Sequence, residues 1–481
     1  MNDLYFPDNR QQATDNRIMA EIKKIKPSLP KGTRDFLPAE VAKRNYIFDT
    51  IKSVFRKYGF QQIDTPAFER LETLTGKYGE EGDRLLFKIL NSGDYLKDAP
   101  DADLQTKNSG AVTKHIAEKG LRYDLTVPLA RYVVQHNGEL VFPFKRFHIG
   151  PVWRADRPQK GRYQEFYQCD ADVIGSTSLL NEVELTQIYV EVFKKLNIPV
   201  SIEVSSRKFL YGFAKLCGAE DTFTEFTTII DKEDKIGAVK VIEELNLLKA
   251  GVGDRYTELM SQINKDSEKN LNEVLNDLLL QFEKANCQEG VDGLKEIKVV
   301  LEMTLGFGSI DDKVRFSPTL ARGLGYYSGI IWEVKPIGVQ MGSIGGGGRY
   351  DNLTEMFGGR DMSGVGISFG IERIYDVMEE LNLFPAELGE TTKVLFVHFD
   401  EASEAYGFEQ LQKVRGADIA SEIYPGKKKL DKQMNYANDK KIPFVIVIGG
   451  DEMASGKLTL KNMKSGEQQK LSIDEIIERL K

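Results

Sequence analysis

The stretch FHIGPVWRADRPQKGRYQEFYQCDADVIG, Phe147 to Gly175, predicts a strand, an exposed loop and a second strand. Val152 and Trp153 on one side and Tyr163, Phe166, Tyr167, Val173 and Ile174 on the other are aromatic or β-branched, and they flank the turn-prone basic tip RPQKGR. Such a hairpin presents guanidinium groups from rigid strands. Arg154 ends the first strand and Arg162 begins the second, so both can face a polyphosphate held between them. Phe166, two residues before Gln168, can stack a flat base. Read from these residues alone, the hairpin is either a solvated basic surface or a nucleotide clamp.

The wording of this stretch resembles motif 2 of the class II aminoacyl-tRNA synthetases, and in particular that of the histidyl-tRNA synthetases. The resemblance implies that Arg154 contacts the ATP α-phosphate and that Phe166 stacks on adenine. Asp156 and Arg162 belong to the same ATP site, and the loop residues Arg157, Gln159 and Lys160 meet the acceptor end of tRNA(His).

A second passage agrees. In LARGLGYYSGIIWEV, Leu320 to Val334, Arg322 opens a glycine-rich turn, and Tyr326 and Tyr327 are expected to lead into a strand. The arrangement resembles the second signature of the histidyl family, which places Arg322 by the α-phosphate and Tyr326 and Tyr327 at the histidine, with Tyr327 facing the imidazole. Gly325 stands where that family usually has Asp or Asn.

Length and composition set the bounds. A chain of 481 residues implies two or three domains. Its 41% hydrophobic and 29% charged residues are those of an ordinary soluble protein. A net charge of −8 argues against a general nucleic-acid coat and leaves room for local basic patches. Cys169, Cys217 and Cys287 form no CxxC pair, which points to a reducing, cytoplasmic compartment. Cys169 reads as a small buried hydrophobe. Neither a zinc site, a membrane span nor a signal peptide is expected.

Residues 1–25 read as a polar N-terminal extension. The proline-rich lead-in KPSLPKGTRDFLP follows, similar to an opening phrase of the family. Apolar Val41, Ile47, Ile51, Val54 and Phe55 recur at helical spacing from Ala39 to Tyr58, closed by Gly59, and a strand then runs to Pro66. This resembles class II motif 1, which implies a homodimer. The segment from Gly76 to Gly120 reads as surface hairpin and loop. In LRYDLTVPLAR, Leu121, Tyr123 and Leu125 alternate, which predicts a strand with Asp124 and Thr126 on its other face. That face is either exposed or a grip for an α-ammonium group; the resemblance favours the grip, with Gln168 assisting. Gln168 and Asp172 share one strand face, and the resemblance implies that Asp172 faces the imidazole where most relatives carry Glu.

Leu180 to Leu196 predicts a core helix. Residues 218–305, rich in Lys, Glu and helically spaced Leu, predict a small helical lobe; it is either purely structural or, by resemblance, a clamp on the tRNA acceptor stem. GSIGGGGRYD, Gly342 to Asp351, lacks the context of a dinucleotide or P-loop and reads as a pocket floor where backbone approaches substrate. GVGISFGIERIYDVM then reads as strand, Gly and helix, with Arg373 on the first helical turn. It resembles motif 3, whose arginine holds the ATP γ-phosphate. After a linker at Phe384 to Thr392, three buried strands alternate with helices as an α/β unit of parallel type. Its basic cluster from Gly426 to Lys432 is either a solvated helix start or an RNA contact.

Together these readings imply an α+β class II synthetase: an antiparallel-sheet catalytic domain over 26–217 and 306–384, the helical insertion, and a C-terminal α/β anticodon-binding domain over 392–481. The implied chemistry joins L-histidine and ATP, with Mg²⁺, to tRNA(His). A second reading is a synthetase-like regulatory subunit of ATP phosphoribosyltransferase, which binds histidine without activating it.

Overall fold

The computed structural model describes residues 26–76, 79–265, 271–306, 313–321, 326–351, 354–359, 362–386, 388–389 and 392–481. The chain divides into two compact units, one made of the residues up to Asp35 with Ile47–Leu383, the other of Phe36–Tyr46 with Phe384–Lys481. The N-terminal extension expected over 1–25 lies outside the described residues, as do Arg322 and Gly325.

In chain order the first unit contains β1 (Gln61–Gln62), β2 (Phe68–Arg70), β3 (Lys88–Ile89), β4 (Lys119–Leu121), β5 (Phe144–Trp153), β6 (Glu165–Ile174), β7 (Val200–Ser206), β8 (Val314–Phe316), β9 (Ile330–Pro336), β10 (Gly345–Tyr350) and β11 (Gly364–Gly370). β2, β4 and β3 form a small sheet; the others make an eight-stranded sheet in the order β1-β5-β6-β11-β10-β9-β7-β8. Its centre is antiparallel, and the edge pairs β1 with β5 and β7 with β8 run parallel.

Successive strand residues face opposite sides, so each register line across the sheet is a row on one face. Phe147, Ala171 and Ile367 form one such row, and Ile149, Cys169 and Phe369 the next. This apolar face is covered by the Ile47–Lys57 part of the helix Pro38–Lys57 and by the helix Leu180–Lys195: Phe55 lies 5.4 Å from Phe147 and 5.9 Å from Phe369, and Tyr189 and Phe193 lie 4.9 and 5.6 Å from Phe369, ring centre to ring centre. Each of these buried aromatic side chains contributes roughly 1.5–3 kcal/mol.

The opposite face carries different rows. Arg146, Asp172, Gly366 and Gly348 are aligned, and beside them His148, Asp170, Ser368 and Gly346. Glycine on β10 and β11 is a steric requirement here. A Cβ on Gly366 would fall on the Asp172 carboxylate, and one on Gly348 would come within 2.7 Å of the Tyr327 ring. Gly347, pointing the other way, has the Gly366 carbonyl where a Cβ would stand.

Several expectations are corrected. The predicted strand through Asp124 and Thr126 ends at Leu121, and a helix, Thr126–Gln135, begins five residues later. The cause is Asp124, whose Oδ1 accepts the N–H groups of Thr126 and Val127 at 3.2 and 3.0 Å and so satisfies two of the donors that open a helix. Between Gly76 and Gly120 the described residues include the short helices Gly79–Arg84, Asp101–Thr106 and Ser109–Ile116, where hairpin and loop were expected. Tyr326 and Tyr327 lead into a strand as expected, β9, which begins at Ile330. The helices expected over 218–305 are present, among them Phe223–Ile230, Ala238–Leu248, Leu271–Lys284 and Gln288–Gly306, within the same compact unit as the large sheet.

The second unit contains β12 (Val394–His398), β13 (Ser421–Ile423), β14 (Phe444–Ile448), β15 (Leu458–Asn462) and β16 (Gln468–Leu471) in the order β13-β12-β14-β15-β16. The first three are parallel as expected. β15 and β16 add an antiparallel hairpin, so the sheet is mixed. Its core includes Val394, Phe396, Leu411, Ile446, Leu458 and Ile476.

Gly347→Ala should destabilise the protein by about 1–3 kcal/mol or more, because the neighbouring element is backbone and has no rotamer to yield. Urea denaturation of the variant beside the parent chain measures it.

Candidate functional site

β5 and β6 carry the basic hairpin up to the rim of a cleft of about 270 Å³. Its lining includes Arg154, Asp156, Arg162, Phe166 and Gln168 from the hairpin, Gly345 and Gly346 from β10, and Glu372 and Arg373 from the start of the helix Ile371–Glu380. Residues expected at an ATP site from distant parts of the chain therefore share one cavity.

Two of the three cleft arginines are held by backbone carbonyls. Arg154 donates Nε to the Tyr123 carbonyl at 3.1 Å, and its guanidinium lies 4.2 Å from the Tyr123 ring centre and 5.1 Å from that of Phe166. Arg373 donates Nε to the Gly161 carbonyl at 2.9 Å and Nη1 to that of Ser343 at 2.6 Å, tying the hairpin tip to the approach to β10. A carbonyl partner orients a guanidinium without itself cancelling the charge. Arg162 is paired with Asp156 at 2.9 Å. Arg157, Gln159 and Lys160 stand at the hairpin tip; Arg157 is exposed, and exposed Lys160 is 3.0 Å from Glu380.

Deeper along β6 the same face becomes a buried polar compartment. Gln168, at the cleft wall, donates Nε2 to the Ser368 hydroxyl at 2.9 Å and reaches Asp170 at 3.5 Å. Asp172 is bonded to Arg146 at 2.6 Å and to the Tyr350 hydroxyl at 2.6 Å. Asp124, Asp170, Asp172 and Arg146 are each no more than 3% exposed. Burial pushes the Asp172 carboxyl above its ordinary range, outweighing Arg146 and the Tyr350 hydrogen bond. Burial likewise carries Asp170 up to about 7, against the pull of Arg146. Tyr326 and Tyr327 close the compartment: Tyr326 lies near Thr126 and Asp124, and Tyr327 near Asp170, Asp172 and Asp124; burial raises both phenols. The structure thus gathers Asp124, Thr126, Gln168, Asp172, Tyr326 and Tyr327, while Arg322 falls outside the described residues.

Sequence reasoning missed Asp170, Arg146 and Tyr350. Asp170 was within reach of it, since it lies midway between Gln168 and Asp172 on an alternating strand. Arg146 and Tyr350 needed the registers Arg146↔Asp172 and Tyr350↔Gly364, which no local pattern carries. Asp170 and Asp172 thus lie buried side by side on β6, each drawn to the Arg146 guanidinium.

Comparison with known proteins falls in line with this geometry. A family model described as histidyl-tRNA synthetase matches residues 32–106 and 114–374, and one described as anticodon binding domain matches 392–481. A histidine–tRNA ligase of Phocaeicola vulgatus is 52% identical over 458 residues, covering 94% of this chain and 98% of its own. That of Christiangramia forsetii is 52% identical over 460 residues, covering 95% and 99%. The crystal structure of histidyl-tRNA synthetase from Nostoc superposes with a TM-score of 0.79 at 30% identity, covering 95% of this chain and 99% of that one.

A raised carboxyl favours the folded state while it keeps its proton. The stability tied to Asp170 is therefore complete below about pH 4, where the unfolded side chain titrates, and is lost as the pH rises through about 7. Asp170→Asn should flatten this part of the profile, so that its urea midpoint falls less than the parent's between pH 5 and 8.

Proposed function

The chain belongs to the histidyl-tRNA synthetase family, and from that premise we propose that its cleft and buried compartment together join histidine to ATP and pass the product to tRNA(His). The activity is that of an ATP-dependent class II ligase: histidine and ATP give histidyl-adenylate and pyrophosphate, and the histidyl group is then transferred to the 3′ end of the tRNA. The observation that carries the reading is that Arg154, Phe166, Gln168 and Arg373 line one cavity, and that Gln168 on its wall reaches Asp170 of the acidic compartment at 3.5 Å.

In this proposal Asp124, Thr126 and Gln168 grip the substrate amine, and Asp172 with Tyr326 and Tyr327 faces the imidazole. The carboxylate of histidine is then directed toward the cleft. Phe166 stacks the adenine. Arg154, with Arg322, neutralises charge that grows on the α-phosphate as the carboxylate attacks, and Arg373 holds the outer phosphates; Asp156 and Arg162 complete the wall. Fixed donors of this kind act most strongly on charge that develops in the transition state. Arg157, Gln159 and Lys160 at the tip are positioned for the acceptor end of the tRNA.

Mg²⁺ fits as part of the nucleotide. Among the described residues no group of three or more His, Cys, Asp or Glu could hold a metal. The carboxylates on the cleft wall are engaged, Asp156 with Arg162 and Glu372 with the Tyr167 N–H at 2.9 Å. A magnesium ion bound mainly by phosphate oxygens and water, balancing their charge, suits such a wall. No described helix is long and apolar enough to cross a membrane; a cytoplasmic homodimer is the setting proposed. The division proposed with it is an extension over 1–25, a catalytic domain over 26–217 and 306–384, an acceptor-stem lobe over 218–305 and an anticodon-binding domain over 392–481.

Histidine-dependent ATP–pyrophosphate exchange tests the activation step, and a regulatory subunit would bind histidine without it. Arg154→Ala should lower the exchange rate by about 10² while histidine affinity changes little. Phe166→Ala should raise the KM for ATP by about tenfold, in keeping with roughly 1–3 kcal/mol for an aromatic–base stack, and leave the KM for histidine unchanged in the same assay.

A further inference from the structure

The lead-in PKGTR, Pro30 to Arg34, reaches the basic hairpin although well over a hundred residues separate them. Thr33 closes a tight turn, its N–H and hydroxyl both bonded to the Pro30 carbonyl at 3.3 and 2.8 Å. Within it Gly32 adopts a φ of +83°, in the left-handed region that favours glycine. Its carbonyl accepts the N–H groups of Gln164 and Glu165 at 2.9 and 3.4 Å, and a Cβ there would come within 2.6 Å of Gln164 Cγ. Gln164 passes the contact on: its carbonyl accepts the Arg154 N–H at 2.9 Å, and its Nε2 donates to the Asp156 carbonyl at 3.0 Å. Both Arg154 and Asp156 line the cleft.

Arg34 makes a second connection. Its guanidinium lies 3.5 Å from the centre of the Tyr163 ring and 3.8 Å from the Glu372 carboxylate. Tyr163 belongs to the hairpin wall of the cleft and Glu372 to the helix wall. One cation thus joins two walls, by stacking on one side and by charge on the other.

We infer that Pro30–Arg34 is a strap that sets the width of the nucleotide cleft, with Arg34 and Gly32 as positioning residues for ATP; the inference rests on the nucleotide reading above. Arg34 touches the walls and leaves the ligand to Arg154, Phe166 and Arg373, so its loss should loosen nucleotide binding more than histidine binding. Displacing a positioned group by a fraction of an ångström has a large effect on a bound substrate.

The test is steady-state pyrophosphate exchange with Arg34→Ala, Arg34→Lys and Gly32→Ala, together with hydrogen exchange of the amides from Asp156 to Glu165 in the protein without ligands. Arg34→Ala and Gly32→Ala should raise the KM for ATP by about tenfold, keep the KM for histidine within about twofold, and speed amide exchange in that segment. Arg34→Lys, which keeps the charge and loses the flat stack, should recover part of the ATP effect. An unchanged KM for ATP, or a fall in kcat with both KM values unmoved, would overturn the strap. If the parent chain performs no histidine-dependent exchange, the nucleotide reading falls; faster amide exchange in the two variants would still support the strap as a tether of the hairpin, and unaltered amide exchange would remove it.

Discussion

The structure depends on a strip of sheet from which side chains have been removed. Gly346 and Gly348 on β10, with Gly366 and Gly370 on β11, lie on the polar face in register with Gln168, Asp170 and Asp172 of β6. Any Cβ at Gly366 would displace the Asp172 carboxylate. Glycine in a strand weakens it, since it packs nothing and loses the most backbone freedom on folding. That weakness is offset on the far side of the same strands, where Phe369 meets Phe55, Tyr189 and Phe193. One face of the sheet supplies cohesion and the other supplies room.

Room alone would fill with water. What makes it a site is the charge placed around it. Arg146 is fully buried, and its ion pair with Asp172 is a costly element unless every remaining lone pair is engaged. Tyr350 engages one of them. Asp170 is also buried, and burial, against the pull of Arg146, carries its carboxyl up to about 7, a cost that falls on the charged form. In the proposed reading a ligand that brings a positive group relieves it, so an ammonium-bearing amino acid suits the compartment and the nucleotide the cleft.

Much of this was legible in the chain because it is written locally. Aromatic and β-branched residues flanking RPQKGR give a hairpin, and the structure has one, β5 and β6 paired from Phe144↔Ile174 to Trp153↔Glu165. Gly, helix and Arg373 are likewise a local phrase. Error arose where two local signals competed. Leu121, Tyr123 and Leu125 alternate like a strand, yet Asp124 offers an oxygen to the amides of Thr126 and Val127, and capping prevailed over alternation. The hairpin of β15 and β16 also had its pattern, alternating residues about a turn at SGE, and joins β14 beyond the three strands expected as a unit of parallel type. Arg146 and Tyr350 were beyond reach for a different reason: their meaning comes from cross-strand register, set by packing of the whole sheet.

The two compartments are joined by a single strand, and its period explains how they could act on one molecule. Phe166, Gln168, Asp170 and Asp172 all point to the same face of β6, so the strand presents in order an aromatic plate, an amide and two carboxylates. At about 3.4 Å per residue, the backbone positions of Phe166 and Asp172 are separated by roughly 20 Å. A base near one end and a cationic amino acid near the other would bring the reacting carboxylate and phosphate close to Gln168, where the cleft and the compartment meet. Because the strand is rigid and hydrogen-bonded on both edges, by β5 and by β11, this spacing is fixed before either substrate arrives. Preorganisation of that kind places the demand for accuracy on one element, and the hairpin, the glycine strip and the lead-in turn at Gly32 each serve to hold it.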